Sequence, residues 1–147
     1  MAWRKATAED LRRSISETEV EAYGNAANDG GDDRVEALLV RTARLVRGYL
    51  RANRRIRLPK DELLIPDTLI APAMDYAAFD MVAVVPVDNM EDRRARRRDA
   101  IRVFEQAAAD QFYVESYEPE DESASGGGCT LVTHSPRRVT AASLNGL

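Results

Sequence analysis

The segment from Asp33 to Asn53 constrains the fold most, because its apolar and basic residues separate on a helical wheel. At about 100° per residue, one half of the wheel collects the apolar side chains Val35, Leu38, Leu39, Leu45, Val46, Tyr49 and Leu50. The other half collects the arginines Arg34, Arg41, Arg44, Arg47 and Arg51. The pattern predicts a long amphipathic helix, capped by Asp33 with Glu36 three residues later. Its apolar side needs other helices, and its arginine side faces water, a phosphate or a protein partner.

The charge balance argues against a general nucleic-acid binder. The 147 residues suffice for one modest domain, and the formal net charge is -4 with a sequence pI near 5.1. A nucleic-acid binder would carry a basic excess. Apart from Lys5 and Lys60, every basic residue in the Lys/Arg count is arginine. Arginine suits bidentate pairing with carboxylates, although genomic base composition can produce the same bias.

The sequence has one cysteine, Cys129, and one histidine, His134. A single cysteine excludes an intrachain disulfide and a cysteine-based zinc site, and a single histidine excludes a His-rich metal site. The polar N-terminus does not have the pattern of a signal peptide, and prolines and aspartates interrupt the most apolar stretch, Leu63 to Val87. We therefore expect a soluble protein made in a reducing cytosol, with no metal, cofactor or membrane.

Two short helices are predicted before the long one. Thr7 begins the first, and Ser16, with Glu19 reaching back toward it, begins the second. The loop that follows, from Gly24 to Asp33, is rich in Gly, Asn and Asp, but it lacks the ligand spacing of a calcium-binding EF-hand loop. It is interpreted as a turn and a helix cap.

A central helix is predicted between Asp67 and Val85, ended by Pro86, with Pro72 in its first turn or at a kink. It is apolar on most sides, which is typical of a buried helix. Its exceptions, Asp75 and Asp80, diverge by roughly 140° on the wheel. Pairing of each with an arginine of the long helix or its neighbour is favoured over a catalytic role.

A last helix is predicted from a cap at Asp88 or Asn89 to about Gln111. Five of the six residues from Arg93 to Arg98 are arginine. They could contact DNA phosphates, but acidic neighbours flank the run and no aromatic residue interrupts it, so stacking on bases has no support. A protein–protein or intrahelical role is favoured.

The composition changes after Asp110. Phe112 to Val114 is interpreted as a short strand or a docked extension, followed by an acidic stretch and the flexible joint Gly126–Gly128. A disordered tail has no need of the apolar residues beyond that joint, so an arm that docks on another surface is favoured over a free end. The residues assigned to this arm are Leu131, Val132, Pro136, Arg137, Arg138, Val139, Leu144 and Leu147.

These features predict an all-α fold: a small helical bundle of two short and three long helices, with an extended C-terminal arm containing short β segments. The predicted boundaries are a bundle core at residues 1–115, a flexible acidic and glycine-rich linker at 116–128, and a docking arm at 129–147.

Several segments, taken in order, carry a resemblance. They are ATAEDLRRSISETEVEAYGNAANDGGDDRVEALLVRTARLVRGYL at the start, the Pro-flanked buried helix, DRRARRRDAIRVFEQAAAD, and SPRRVTAASLNGL at the end. Together they resemble the head–tail connector, or head-completion adaptor, proteins of tailed bacteriophages, in particular the Mu-like head protein family.

The resemblance implies a structural virion protein without enzymatic activity. Such proteins form a ring, typically of twelve copies, beneath the portal, and the ring joins head to tail and surrounds the DNA exit channel. The implied partners are other copies of the chain, the portal protein, the tail or next connector, and DNA in the channel. The implied location is the neck of the virion, and the host cytoplasm during assembly.

Within that ring, the C-terminal arm would bind the portal. An inter-subunit or DNA-channel face would consist of the arginines Arg41, Arg44, Arg47, Arg51, Arg93, Arg94, Arg97 and Arg98. The alternative is a small helical DNA-binding regulator that uses the Arg93–Arg98 patch. An enzyme is disfavoured, because no base, nucleophile or metal cluster accompanies Asp75 and Asp80.

Overall fold

The computed structural model of the chain describes residues 3–26 and 31–119. The elements in these ranges are β1 (Trp3–Lys5), α1 (Ala8–Ser14), α2 (Glu17–Asn25), α3 (Gly31–Ala52), β2 (Leu64–Pro66), a 3-10 turn (Asp67–Leu69), α4 (Ile70–Met81) and α5 (Met90–Ala108). The predicted fold, mostly helical with two short and three long helices, is confirmed. The short β segments predicted for the C-terminal arm fall outside the described residues.

Helix α3 supplies the side of the core that its sequence predicts. Leu38, Val46 and Leu50 are almost fully buried, against α2, α4 and α5. The prediction that Asp33 caps this helix is wrong, because α3 begins at Gly31 and Asp33 is its third residue. Aspartate is favourable both at the cap and in the first turn, so composition alone does not fix the start.

Helix α4 is the central, buried helix that was predicted. It packs against α1, α3 and α5, and its small residues, Ala73, Ala77 and Ala78, are buried. Pro72 is the third residue of α4 and lies in the first turn, where no intrahelical N–H bond is lost. The helix ends at Met81 rather than at Pro86, because Val82 closes a tighter turn onto the Phe79 carbonyl. No helix in the described part of the chain could cross a membrane.

The predicted N-caps form at both α1 and α2, but only α1 has the complete capping box. Thr7 and Asp10 form a complete capping box at α1. Ser16 accepts a hydrogen bond from the Glu19 backbone N–H and caps α2 as predicted. The Glu19 carboxylate does not serve the box, because it accepts a 2.6 Å hydrogen bond from Arg93 of α5. A charged donor makes the stronger hydrogen bond, so the contact to α5 replaces the local one.

A Schellman motif ends α5 and turns the chain back toward β1. The Asp110 N–H bonds to Ala107 O and the Gln111 N–H to Gln106 O, and Asp110 has a φ of 61°. Glycine is usual at such a left-handed position. Here the Asp110 carboxylate accepts a hydrogen bond from Asn53 and pairs with Arg55, which offsets the backbone cost.

The chain after Asp110 is a docked extension, and it forms no strand in the described residues. Val114 is buried, and the Trp3 indole N–H donates to Glu115 O at 3.0 Å. The peptide N–H of Arg57 donates to Ser116 Oγ, and the Tyr117 N–H donates to Arg57 O. Residues 116 and 117, predicted to lie in the flexible linker, are therefore fixed to the bundle.

Two features of the fold were not predicted. β1 and β2 form an antiparallel pair, with Trp3 opposite Pro66 and Lys5 opposite Leu64. The second feature is the Arg47 cluster, in which this guanidinium donates to three backbone carbonyls, those of Pro59 (2.8 Å), Asp61 (3.0 Å) and Leu64 (3.1 Å). The cluster fixes the connector, residues 53–63 between α3 and β2, onto the side of α3.

We predict that Arg47→Leu lowers the free energy of unfolding by about 2–4 kcal/mol, because three backbone carbonyls, one of them in a buried hydrogen bond, lose a charged donor. Urea titration followed by circular dichroism measures the change. The matched control is Arg44→Leu on the same helix, whose side chain is 66% exposed and 4.0 Å from Glu62; it should change stability by less than about 0.5 kcal/mol. Equal effects of the two substitutions would contradict the importance of the cluster.

Candidate interaction surfaces

The predicted docking arm lies outside the described residues. This applies to Leu131, Val132, Pro136, Arg137, Arg138, Val139, Leu144 and Leu147. The portal-binding role assigned to them therefore stays a prediction. The described chain leads into this arm from the extension that Trp3 and Arg57 hold against the bundle.

Three of the four α3 arginines in the predicted charged face share one exposed surface. Arg41 pairs with Asp80 at 2.9 Å, and Arg44 and Arg51 both approach Glu62, at 4.0 and 3.5 Å. We call Arg41, Arg44 and Arg51 the α3 arginine surface. Exposed pairs of this kind contribute little to stability, so these arginines can exchange their internal partners for those of another molecule at small cost.

The fourth, Arg47, does not belong to this surface, and its predicted place there is wrong. It is 4% exposed because the connector covers this part of α3, and the Pro59, Asp61 and Leu64 carbonyls of the connector and β2 accept hydrogen bonds from the guanidinium. A buried guanidinium that donates to three backbone carbonyls of its own chain is unavailable to a neighbouring subunit or to DNA.

Arg93 is likewise buried, at 7% exposure, and unavailable. On α5 it projects to the same side as Ala100 and Phe104, toward the core, where it meets Glu19 of α2. The remainder of the run is not a continuous basic face. Arg94 pairs with Glu91 at 3.2 Å, and Arg96 pairs with Asp92 at 3.0 Å and lies 4.0 Å from Asp75.

Arg97 stacks on aromatic rings. Its guanidinium lies 4.8 Å from the Phe79 ring centroid and 5.2 Å from that of Tyr76, within range of a cation–π interaction. Its buried Nε finds no hydrogen-bond partner in the described residues. A planar guanidinium suits this arrangement better than a lysine ammonium would.

Arg97 borders a groove of about 400 Å³ between α4 and α5. We call this site the arginine groove; it is lined by Phe79, Glu91, Arg94, Arg97, Arg98 and Ile101. Arg98 is exposed and has no carboxylate within ion-pair distance in the part of the chain that is described. The groove thus combines an aromatic and aliphatic floor with cationic donors that their own subunit leaves partly unused.

The two carboxylates considered for catalysis both have partners. Asp80 pairs with Arg41 of the long helix, as predicted. Asp75 accepts a 2.8 Å hydrogen bond from Ser14 Oγ and lies 4.0 Å from Arg96 of the neighbouring helix. In residues 3–26 and 31–119, no cluster of His, Cys, Asp or Glu is arranged to hold a metal.

The groups whose pKa values are shifted stabilise the fold and do not line the arginine groove. Hydrogen bonds from Arg4 and then from Thr7 hold the pKa of Asp10 far below its usual range, and the pairing with Asp10 raises the pKa of Arg4. Burial lowers the pKa of the Arg47 guanidinium, which stays charged at neutral pH. The backbone N–H of Leu63 lowers the pKa of Asp61. All of these groups fix β1, α1 or the connector.

Sequence reasoning missed two further surface features. Tyr113 is 81% exposed on the docked extension. A cleft of about 390 Å³ lies where α1, α2 and α3 meet, with Ala8, Val20, Val35 and Leu39 among its lining residues. Small and apolar residues on each of the three helices were the signal for the cleft, but its shape depends on how the helices pack.

Comparison with known proteins identifies one family. The family model described as Bacteriophage Mu, Gp36 matches residues 6–132. This range includes every helix of the described structure and extends past the glycine joint. No curated protein and no solved structure matches the chain significantly.

We predict that Asp10→Asn lowers the free energy of unfolding at pH 7 by about 1–3 kcal/mol, because one of the two acceptor oxygens becomes a donor and the charge that pairs with Arg4 is lost. The wild-type pKa is depressed by folding, so the Asp10 contribution is present above the unfolded pKa, about 3.9. It declines as the pH falls below that value. Thermal unfolding of both proteins between pH 7 and pH 3 should show their stabilities converging.

The control for this experiment is Asp67→Asn, which removes the other carboxylate that pairs with Arg4. Asp67 is half exposed, and we expect a loss below about 1 kcal/mol. A difference between wild type and Asp10→Asn that stays constant with pH would contradict the assignment.

Proposed function

This chain belongs to the bacteriophage Mu Gp36 family, and from that membership we propose that it is a head–tail connector. Membership of the family indicates a virion-related phage protein. The proposal adds that copies of the chain form a ring beneath the portal, join the head to the tail and surround the DNA exit channel. The observation that carries it is the match over residues 6–132, which spans the bundle and enters the arm.

The architecture of the bundle supports this proposal. Its core is closed around α4, and Leu69, Ala73 and Phe104 are completely buried. Within the described residues the last buried apolar side chain is Val114, and the last fixed contacts are those of Tyr117. In the proposed assembly the residues beyond the Gly126–Gly128 joint bind a partner, and they include five apolar side chains, Leu131, Val132, Val139, Leu144 and Leu147.

Docking of such an arm has a thermodynamic rationale. An apolar arm gains free energy when its side chains leave water, but ordering it costs conformational entropy. In the proposed assembly the portal supplies the apolar surface that offsets this cost. The arm would then make incorporation of the connector depend on a portal that is already in place.

The surface charges are compatible with a ring. The described surface carries arginines and carboxylates interspersed, with exposed pairs such as Arg41–Asp80 and Arg51–Glu62. Exchange of such pairs between neighbouring copies favours a specific register and rapid association more than high affinity. In the proposed ring, exposed arginines that face the channel would lie near the DNA backbone.

We predict that deleting Gly126 to Leu147 leaves the bundle folded but prevents its incorporation into phage particles. The helical circular dichroism signal and the melting temperature should stay unchanged, because all described core residues are retained. Particles produced with the truncated chain should lack it and should lose packaged DNA, as measured by mass spectrometry and DNA content.

The matched control keeps the length of the arm and removes its apolar character, with Leu131, Val132 and Val139 each changed to Ser. It should fail in the same way as the deletion. Truncated chains that still enter DNA-filled particles would show that the arm does not dock.

We also predict that the isolated full chain is a monomer or associates only weakly, because the arm lacks its partner. Sedimentation velocity measures this directly. A ring that is stable at micromolar concentration without portal protein would contradict the proposed dependence on the portal.

A further inference from the structure

We propose that the arginine groove binds the acidic segment Glu118–Glu122 of a neighbouring copy. This inference rests on the proposed ring and names one of its subunit contacts. The groove presents Arg94, Arg97 and Arg98 against a single carboxylate, Glu91. The segment has the sequence EPEDE, with four carboxylates in five residues.

The chemistry of the groove suits a carboxylate-rich peptide. Arg98 is exposed without a carboxylate of its own in the described residues, and Arg94 has only an exposed partner three residues away. Such a partner is weak and easily replaced. Arginine pairs with carboxylates in a bidentate geometry. Phe79 and Ile101 provide apolar surface for Pro119 of the segment.

The segment begins beside β1, near the start of α4, whereas the groove lies near the end of α4. Tyr117 immediately precedes it, and the Tyr117 ring lies 6.2 Å from the ring of Trp3. Trp3 is paired with Pro66, just before α4 begins. Phe79 lies near the other end of α4, a rise of roughly 14 Å from Ile70.

A peptide of five residues spans at most about 17 Å when fully extended. The rise along α4 alone takes up most of this length, so the segment of the same chain would have to be almost fully extended to bring its last carboxylates to the groove. A neighbouring copy can place all four carboxylates in the groove. The acidic segment thus begins near one end of α4 and the groove that would bind it lies near the other. A ring forms through such a heterologous contact, in which two different surfaces of neighbouring subunits meet.

The test uses the full chain with Arg98→Lys, which keeps the charge and supplies an amine for carbodiimide coupling to a carboxylate. Equal amounts of 14N- and 15N-labelled chains are mixed and cross-linked, and the cross-linked peptides are analysed by mass spectrometry. We expect the amine introduced at position 98 to be linked to residues 118–122 with mixed isotopes, which identifies a contact between copies. The yield should fall several-fold when Glu120, Asp121 and Glu122 are changed to their amides, and again in high salt.

A charge exchange provides the control. Arg94→Glu with Arg98→Glu reverses the groove, and Glu120→Arg with Asp121→Arg reverses the segment. At a protein concentration high enough for the wild-type chain to self-associate in sedimentation, each variant alone should stay monomeric, whereas an equal mixture of the two should regain the association. The matched control combines Arg12→Glu with Arg13→Glu, which reverses the same number of charges on α1. It should leave self-association unchanged.

Three outcomes would overturn the inference. Cross-links with a single isotope would place the segment on its own subunit, and no enrichment of residues 118–122 among the links would remove the contact altogether. Loss of binding to a short DNA duplex in the groove variant, with self-association unchanged, would assign the groove to DNA. Absence of the wild-type chain from particles would refute the proposed function separately, without changing the cross-linking result.

Discussion

The organisation of this protein depends on a buried guanidinium, that of Arg47, and on the three carbonyls to which it donates. These bonds fix the connector against α3. The connector supplies the peptide group of Arg57 that holds Ser116 and Tyr117, and it leads directly into β2, which pairs with β1. The place where the C-terminal chain leaves the bundle therefore depends, through these contacts, on Arg47.

The position at which the C-terminal chain leaves the bundle matters for a protein whose copies are proposed to bind one another through that chain. If the extension were loose, the acidic segment and the arm would sample a large volume, and their ordering on a partner would cost more entropy. The bonds from Trp3 and Arg57 hold the chain up to Tyr117 in the free subunit. The residues up to Tyr117 therefore add no entropy cost of ordering to the proposed assembly.

The sequence predicts this fold where local signals and burial agree. Thr7 and Asp10 form the predicted cap, and Pro72 lies in the first turn of the predicted buried helix. Such features correctly predict that these segments are helices, whereas the predicted ends of α3 and α4 differ from the observed ends by a few residues. Boundaries depend on single hydrogen bonds, such as that from Val82 to Phe79, which residue patterns do not specify.

The errors at the candidate site have a common cause. The helical wheel places Arg47 on the arginine side of α3, and the arginine run from Arg93 to Arg98 predicts an exposed position for Arg93. Both lie at positions where another element covers the helix, the connector in one case and α2 in the other. A helical wheel describes one helix at a time, so partners that are 12 or 74 residues away in sequence are invisible to it. The β1–β2 pair was missed because three-residue strands carry too little alternation to be recognised.

The described arginines also bear on why the chain uses this residue almost exclusively. Arg47 donates to three carbonyls, and Arg97 stacks on the rings of Tyr76 and Phe79. A lysine ammonium has neither the broad fork of donors nor the planar surface that these two positions require. At these sites arginine is a structural requirement, whatever the base composition of the genome. At Arg98 no internal contact within the described residues requires arginine, and in the proposed contact between copies this guanidinium would pair with the acidic segment.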